Sequence, residues 1–475
     1  MKKKLLSLLL MAIMIMNTLL LTACGGGGGQ EVTEDNVAYN GEAVTIKFVH
    51  TMGAANQAIL DKYIEKFNEI YPNITVVHES GGDYDDVRDN TLNQLNVGEE
   101  PNIVYCYPDH VALYIMAGAA QPLDAFINSQ NKVGGSDEII GLTQAQKDAF
   151  IQGFYNEGAA FGDGKMYTMP FSKSTEVLYY NIEFFEEHNL ELPETWDDMA
   201  ALCEQIKAID PDCIPLGYDS EANLFITMCE QLGSPYTSAT GNRYLFNNDT
   251  NKGFVEMFRQ WYQKGWLTTK TLYGNYTSGL FTNIPNAENP VRSYMSIGSS
   301  GGAQHQAPAK DTAGNDPFTV GIAPIPHAAG KDAKVISQGP SVTIFKKSNP
   351  TEVVASWLFV KFLTTSVDFQ AEYSVQSGYM PVLKEEVINQ NQVYAKFLAN
   401  ADKGNAYLTA LSVKVSLAQK DSYFVSPAFN GSSVARDQVG ALMINMLALQ
   451  GSTADVKSKM DQAFKDAVDV CEYKS

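Results

Sequence analysis

Val44-Thr45-Ile46-Lys47-Phe48-Val49 alternates inward and outward like a strand, and Ile59, Tyr63, Phe67 and Ile70 follow at spacings of four, four and three, one apolar face of a helix. Pro72 ends that helix, and Ile74 to Val77 reads as a second strand. A further helix carries Val87, Leu92 and Leu95, and Asn102 to Cys106 reads as a third strand. Strand–helix–strand–helix–strand opens an α/β unit with a largely parallel sheet, in which ligands sit outside the carboxyl ends of the strands.

The middle of the chain is more helical. Thr195 is a candidate N-cap for a helix from Trp196 to Ala208 whose apolar face is Met199, Leu202, Cys203 and Ile206. Phe254, Phe258, Trp261 and Tyr262 mark another amphipathic helix, and Val439, Leu442, Met443, Met446 and Leu447 a third. For all three, packing core is the expected role. Between them, Val320 to Ala323 and Val335 to Phe345 read again as strands, so one lobe is expected to be built from two separated stretches.

The first 23 residues have another character. Met1-Lys2-Lys3-Lys4 is cationic, Leu5 to Leu21 is apolar but for Ser7, Asn17 and Thr18, and Leu21-Thr22-Ala23-Cys24 follows. A charged start, an apolar run and small residues before a cut site define a secretory signal. At 17 residues the apolar run reaches the lower limit for a membrane span, so the following residues decide. Leu-Thr-Ala-Cys matches the bacterial lipobox, in which the Cys is acylated and becomes the first residue after cleavage. Gly25 to Gly29 and the polar stretch to about Glu42 read as a flexible tether, so residues 24–41 are assigned to the lipidated cysteine and its leash. No strand-like run precedes the glycines, which sets aside a phosphate-binding loop.

Composition narrows the function. The chain of 475 residues leaves room for two or three domains, and 45% hydrophobic with 19% charged residues is globular. Its 34 Lys+Arg against 54 Asp+Glu give a net charge of −20, which disfavours nucleic acid and anionic headgroups as partners. Besides Cys24 there are Cys106, Cys203, Cys213, Cys229 and Cys471, an odd set with no C-x-x-C and a poor disulfide framework; Cys203 and Cys213 could pair, but buried thiols are the expected state of most of them. The six His residues show no metal-ligand spacing and no G-x-S-x-G elbow occurs, so no metal, cofactor or catalytic residue is assigned.

Several segments resemble the extracytoplasmic solute-binding proteins of ABC importers, in particular their sugar- and glycerol-3-phosphate-binding branch. Met166 to Asn181, MYTMPFSKSTEVLYYN, is similar to the family's "PF…S…LYYN" block, and Leu192 to Lys207, LPETWDDMAALCEQIK, to the "P-x-T-W-[DE]-[DE]" that opens the next helix. VTIKFVHTM (Val44 to Met52) resembles their first strand and ligand loop, and SGYMPV (Ser377 to Val382) a late "GY-[ML]-P" turn. The resemblance implies two α/β lobes of the type II periplasmic-binding-protein fold, one from residues 42–153 plus 318–370 and the other from 154–317 plus 371–475. It implies a ligand gripped between them, a membrane permease as partner, and a monomer on the outer face of the cell membrane.

A polyhydroxylated ligand needs fixed hydrogen-bond partners, since a buried unpaired polar group costs about 1–3 kcal/mol, and flat aromatic surfaces for its C–H faces. On the family pattern Tyr84, in Gly81-Gly82-Asp83-Tyr84-Asp85, is the expected aromatic, with a surface turn as its alternative role. Asp109 follows the third strand where an acidic ligand residue is expected, although Pro108 intrudes, and it is equally suited to be a helix N-cap. Ser172 and Ser174 lie in the strongest block. Ser299 and Ser300 belong to a Gly-Ser-Ser-Gly-Gly run that can form a backbone nest. Gly339 and Tyr379 also fall where the family meets ligand. Glycerol-3-phosphate-binding relatives use an Arg in a motif like G-L-R-L-G; here Arg436 lies in NGSSVARDQVG, and that departure tilts the expected ligand toward a neutral sugar. A glycosidase using Asp83, Asp85 or Asp109 and a ligand-presenting sensor module are the competing functions.

Overall fold

A computed structural model describes residues 29–474, so the export signal and Cys24 lie outside the described residues. Twelve strands are described: β1 (Val44–His50), β2 (Ile74–Ser80), β3 (Ile103–Cys106), β4 (Thr168–Pro170), β5 (Glu176–Asn181), β6 (Leu216–Tyr218), β7 (Leu267–Thr269), β8 (Met295–Ser299), β9 (Val320–Ala323), β10 (Val335–Ile336), β11 (Ser341–Ile344) and β12 (Tyr423–Phe424). They form two five-stranded sheets, β2-β1-β3-β11-β4 and β7-β6-β8-β5-β9, with β10 and β12 paired separately. In the first, β1 runs parallel to β2 and β3 while β11 is antiparallel to β3. Each sheet carries its own apolar core, the first with Phe48, Phe67, Trp357 and Phe369, the second with Trp196, Phe225, Phe258 and Met443. These are two α/β lobes.

The local chemistry explains most element boundaries. The first helix runs Ala54–Ile70 and buries Leu60, Tyr63, Ile64 and Phe67 against the helices Pro350–Thr365 and Val367–Ser377. Ile70, expected on the buried face, is 54% exposed, because the stripe turns away from the core at the last turn. Thr195 is the N-cap of the helix Trp196–Ile209: its hydroxyl accepts from the Asp198 N–H while the Asp198 carboxylate accepts from the Thr195 N–H. The expected faces of that helix and of Ser432–Leu447 are buried, as are Phe254, Phe258 and Trp261 of Asp249–Gln263, whereas Tyr262 is only partly so.

Three expectations differ from what the fold does. Residues 30–41 are not free tether: Val32, Val37 and Tyr39 are buried in the first core. The Gln121 side-chain amide brackets Val32, accepting from its N–H and donating to its carbonyl, both at 2.9 Å. Sparse apolar residues in a polar run gave no periodic signal, yet each meets a preformed hollow. Second, Val335 to Phe345 is not one strand. It breaks at Ser337–Pro340, where Gly339 adopts φ +93° between β10 and β11. Third, β9 belongs to the second sheet, pairing with β5, and β4 to the first, pairing with β11, so residues 318–323 and 168–170 lie on the opposite side of the expected lobe boundaries, as do residues 371–394, whose Ala371, Tyr373, Val382, Leu383, Ile388 and Tyr394 are buried in the first core. The crossing is set by backbone pairing, not by where apolar runs resume. Cys203 and Cys213 are free buried thiols, not a disulfide, as are Cys106, Cys229 and Cys471.

Between the lobes, three segments lie side by side. Lys173 exchanges backbone hydrogen bonds with Met380, at 3.0 and 2.7 Å, and Ser174 does so with Gln338, at 2.8 and 2.9 Å. Lys173 is fully buried; its ammonium pairs with Glu157 and faces the Gly339 carbonyl and Ser341 hydroxyl at 3.5 and 3.4 Å. A Cβ at Gly339 would stand 2.7 Å from the backbone of Ser172, Lys173 and Ser174. Removing one member of a buried ion pair leaves the other charge stranded, typically at about 3–5 kcal/mol. Lys173→Met should therefore cost about that much in urea unfolding, and Lys173→Met/Glu157→Gln distinctly less. Equal losses for the two variants would mean the pair acts only through packing.

Candidate functional site

The loops after β1, β2 and β3 open toward the second lobe, as the parallel topology requires. There two adjoining hollows of about 540 and 640 Å³, including space open to solvent, share Tyr107, Asp109 and Arg436 as walls. The first lobe supplies Tyr84, Arg88 and His110, and the second supplies Tyr276, Ser433 and Asp437. The lobes touch at this level: the Arg88 guanidinium donates to the Ser433 hydroxyl at 3.3 Å, and the helix Pro108–Met116 meets Ser432–Leu447.

One wall is aromatic. Tyr84 opens the helix Tyr84–Leu95, capped by Asp83, whose carboxylate accepts from the Asp85 and Asp86 N–H groups. Its ring stacks on Tyr107 with centroids 4.1 Å apart and lies nearly parallel to Tyr105 at 6.0 Å. Its hydroxyl interacts with those of Thr51 and Tyr379. Burial pushes the Tyr84, Tyr107 and Tyr379 phenols above their ordinary range, so all stay neutral and can both donate and accept. Gly301 seats Tyr379: a Cβ there would lie 2.8 Å from its ring.

Beside the rings the lining is charged. Arg88 is held by Asp85 and Asp89, each at 2.7 Å. Asp109 sits in the first turn of Pro108–Met116 but is not its N-cap; Tyr107 holds that position because Pro108 takes the next one, where its missing N–H costs nothing. Burial keeps His110 below its ordinary pKa and hence neutral. Burial also raises the Asp437 carboxyl, and Asp85 and Asp109 raise it further.

A polar node lies beneath. Arg436 donates to the side-chain amide oxygen of Asn223. The Asn223 amide donates to Glu176 at 2.9 Å and to Gln338 at 3.1 Å, and Tyr218 donates to Glu176 at 2.7 Å. Glu176 is buried, and that burial pushes its carboxyl up to about 7 despite these donors and the nearby Arg436. Sequence patterns did not single out Glu176, Asn223, Gln338 or Tyr107. Only the position of Glu176 inside the family block Met166 to Asn181 hinted at it.

Of the expected site residues, Tyr84, Asp109 and Arg436 line the cleft together, and Tyr379 reaches it through Tyr84. The others stand behind. Ser172 is buried in a hydroxyl chain with Tyr105 (3.2 Å) and, through it, Tyr373 (3.0 Å). Ser174 pairs with Gln338 in the crossing. The Ser299 hydroxyl accepts from the Gly301 N–H, and the buried Ser300 accepts from the Thr175 N–H. Gly339 fits the crossing segments against each other.

Residues 62–401 match the family model described as bacterial extracellular solute-binding protein. The chain belongs to that family. It is 25% identical over 363 residues to the sn-glycerol-3-phosphate-binding periplasmic protein UgpB of Escherichia coli strain K12, covering 73% of this chain and 76% of that one. Its fold is that of UgpB from Mycobacterium tuberculosis in complex with glycerophosphocholine (TM-score 0.69, 18% identity, 90% of this chain and 98% of that one). It is equally that of maltose-bound MalE3 of T. maritima (TM-score 0.67, 17% identity, 91% and 100%). The two-lobed type II architecture is therefore the family fold, and members of this family bind solutes outside the cytoplasm. Among the described residues no helix is long and apolar enough to cross a membrane, and no three His, Cys, Asp or Glu side chains gather as a metal site.

Because the folded protein holds the Glu176 proton more tightly than the unfolded chain does, the stability from this group is complete below about pH 4.5 and is lost as pH rises through about 7. The shift corresponds to a fall of about 3 kcal/mol. Glu176→Gln, whose oxygen still accepts from Asn223 and whose NH2 turns the Tyr218 hydroxyl from donor to acceptor, should remove this fall: urea melts at pH 5 and pH 8 should differ less than in the parent by roughly that amount. An unchanged difference would mean that the carboxyl is ionised at no cost.

Proposed function

We propose that the cleft captures a neutral sugar or short oligosaccharide and that the protein, a monomer, hands it to the membrane permease of an ABC importer. The supporting observation is the pairing of the Tyr84–Tyr107 stack with a wall of net negative charge. The lining holds four aspartates (Asp83, Asp85, Asp109, Asp437) against two arginines (Arg88, Arg436), a formal balance of −2. At an effective dielectric near 20, a unit charge about 6 Å away is worth roughly 3 kcal/mol, so this wall works against a phosphate dianion while its carboxylates are good acceptors for sugar hydroxyls. Arg436 is already bonded to Asn223. In this reading Tyr84, Asp109, Tyr379 and Arg436 touch the ligand. Ser172, Ser174, Ser299, Ser300 and Gly339 hold the hinge and the cavity floor, and the lobe boundaries lie near residues 171–175 and 337–340 and between Val413 of the first core and Phe429 of the second.

The second reading is a glycerol-3-phosphate or glycerophosphodiester ligand, favoured by the relatives named for it. Closure on either ligand requires contacts to both lobes, and the protein returns its ligand unchanged. Titration calorimetry with maltose, glucose and glycerol-3-phosphate separates the readings: a neutral sugar should bind, and Tyr84→Ala should weaken it by about two- to tenfold, the stacking contribution expected of one aromatic face. Binding of glycerol-3-phosphate with no sugar bound overturns the sugar assignment. Prolonged incubation with oligosaccharides should leave them uncut.

The export signal, with acylation at Cys24, places the protein on the outer face of the cell membrane. Growth with a palmitate analogue should label the parent and leave Cys24→Ala, which also retains its uncleaved signal, without label. A parent that takes up no label would assign membrane association to another feature.

A further inference from the structure

Residues 30–41 wrap the end of the first lobe that is farthest from the cleft. The register shows this: the ligand-side end of β3, Cys106, pairs with Ser341, and its far end, Ile103, with Ile344. The chain then continues away from the cleft to Lys347, whose carbonyl accepts from the Gln30 N–H at 3.0 Å. From there the segment crosses the pole. Glu31 pairs with Lys346 at 3.2 Å, Gln121 brackets Val32, and the Asn131 amide donates to the Val37 carbonyl at 2.8 Å. The Gly134 N–H donates to the Tyr39 carbonyl at 2.8 Å, and Asn73 donates to that of Gly41. β1 begins three residues later, at Val44. Gly29 lies so close to the Lys346–Lys347 peptide that a Cβ would stand 2.3 Å from it.

We infer that this segment is a strap fixed to the first lobe, that the leash is only the stretch between Cys24 and Gln30, and that the strapped pole is the surface facing the bilayer. The orientation rests on the anchoring at Cys24 proposed above; the strap itself does not. Six residue steps span at most roughly 20 Å, against about 60 Å if all of residues 24–41 were free. A body of this size has a radius of gyration of about 22 Å. The leash is thus shorter than the body it holds, and the first lobe's pole stays next to the membrane while the second lobe samples positions farther out. The partner is the lipid surface, reached through the protein's own anchor, and the permease meets a body with restricted orientations instead of one turning freely.

Hydrogen exchange on the full-length protein tests the strap. The amides of Gln30 and Val32 should exchange at least about a hundredfold slower than coil, and Val32→Asp/Val37→Asp should abolish that protection. Coil-rate exchange in the parent overturns the strap. Orientation is read on the lipidated protein bound to phosphatidylcholine vesicles carrying an acceptor dye, with a donor at Asp137→Cys beside the strap or at Tyr473→Cys on the second lobe. Both side chains are almost fully exposed, and the native thiols of the described residues are buried. Energy transfer should be greater from 137, and a 15-residue Gly/Ser insert between Gly28 and Gly29 should shrink the difference. Equal transfer without the insert overturns the orientation. Failure of the parent to stay on vesicles overturns the anchoring reading, and the orientation with it, while the exchange result on the strap stands.

Discussion

The interaction on which the rest depends is the meeting of three crossing segments around Lys173. Each segment alone is a short extended piece with too few hydrogen bonds to hold a geometry. Together they exchange backbone bonds with one another, and the buried Lys173–Glu157 pair gives that junction one preferred arrangement. A buried pair of this kind contributes little net stability, since desolvation offsets most of the attraction. Its effect is on uniqueness: an ammonium with one carboxylate and two neutral oxygens around it tolerates few alternative packings. Gly339 belongs to the same constraint, because only a residue without Cβ lets the second crossing lie against the first.

That junction decides what the cleft contains. Glu176 begins β5 two residues after Ser174, so the strand that leaves the hinge carries a carboxyl straight into the floor of the site. Asn223 then ties Glu176 to Gln338 of the second crossing and to Arg436 of the second lobe's cleft wall. A ligand that touches Arg436 is thereby coupled to the hinge through two hydrogen bonds. The burial that raises the Glu176 carboxyl to about 7 puts the proton occupancy of this node within the range of external pH.

The two walls of the cleft divide the work by chemistry. The tyrosines present flat faces and neutral hydroxyls, and the carboxylates and guanidinia present acceptors and donors in positions set by helix starts. Asp83 caps one helix and Asp109 lies in the first turn of the next, so both also meet the positive ends of helix dipoles. Their structural role and their place in the cleft lining are not alternatives; the same helix start that fixes the side chain aims it into the space between the lobes.

The sequence by itself determined the alternation of strands and helices, the Thr195 cap, the apolar faces and the family, because period, capping chemistry and ordered motifs are local properties. Tyr84 and Asp109 were legible because they follow β2 and β3, where the loops of a parallel sheet converge, and Arg436 only through a family motif; all three line the cleft. The sequence could not show that Val320–Ala323 pairs with β5, that Ser299 and Ser300 turn inward to the backbone, or that Val32, Val37 and Tyr39 leave the presumed tether to enter the core. Those outcomes depend on partners far away in sequence, such as Lys347, Gln121 and Thr175. Only the tertiary structure decides them, because a hydrogen bond or an apolar contact between distant residues leaves no periodic trace in either segment.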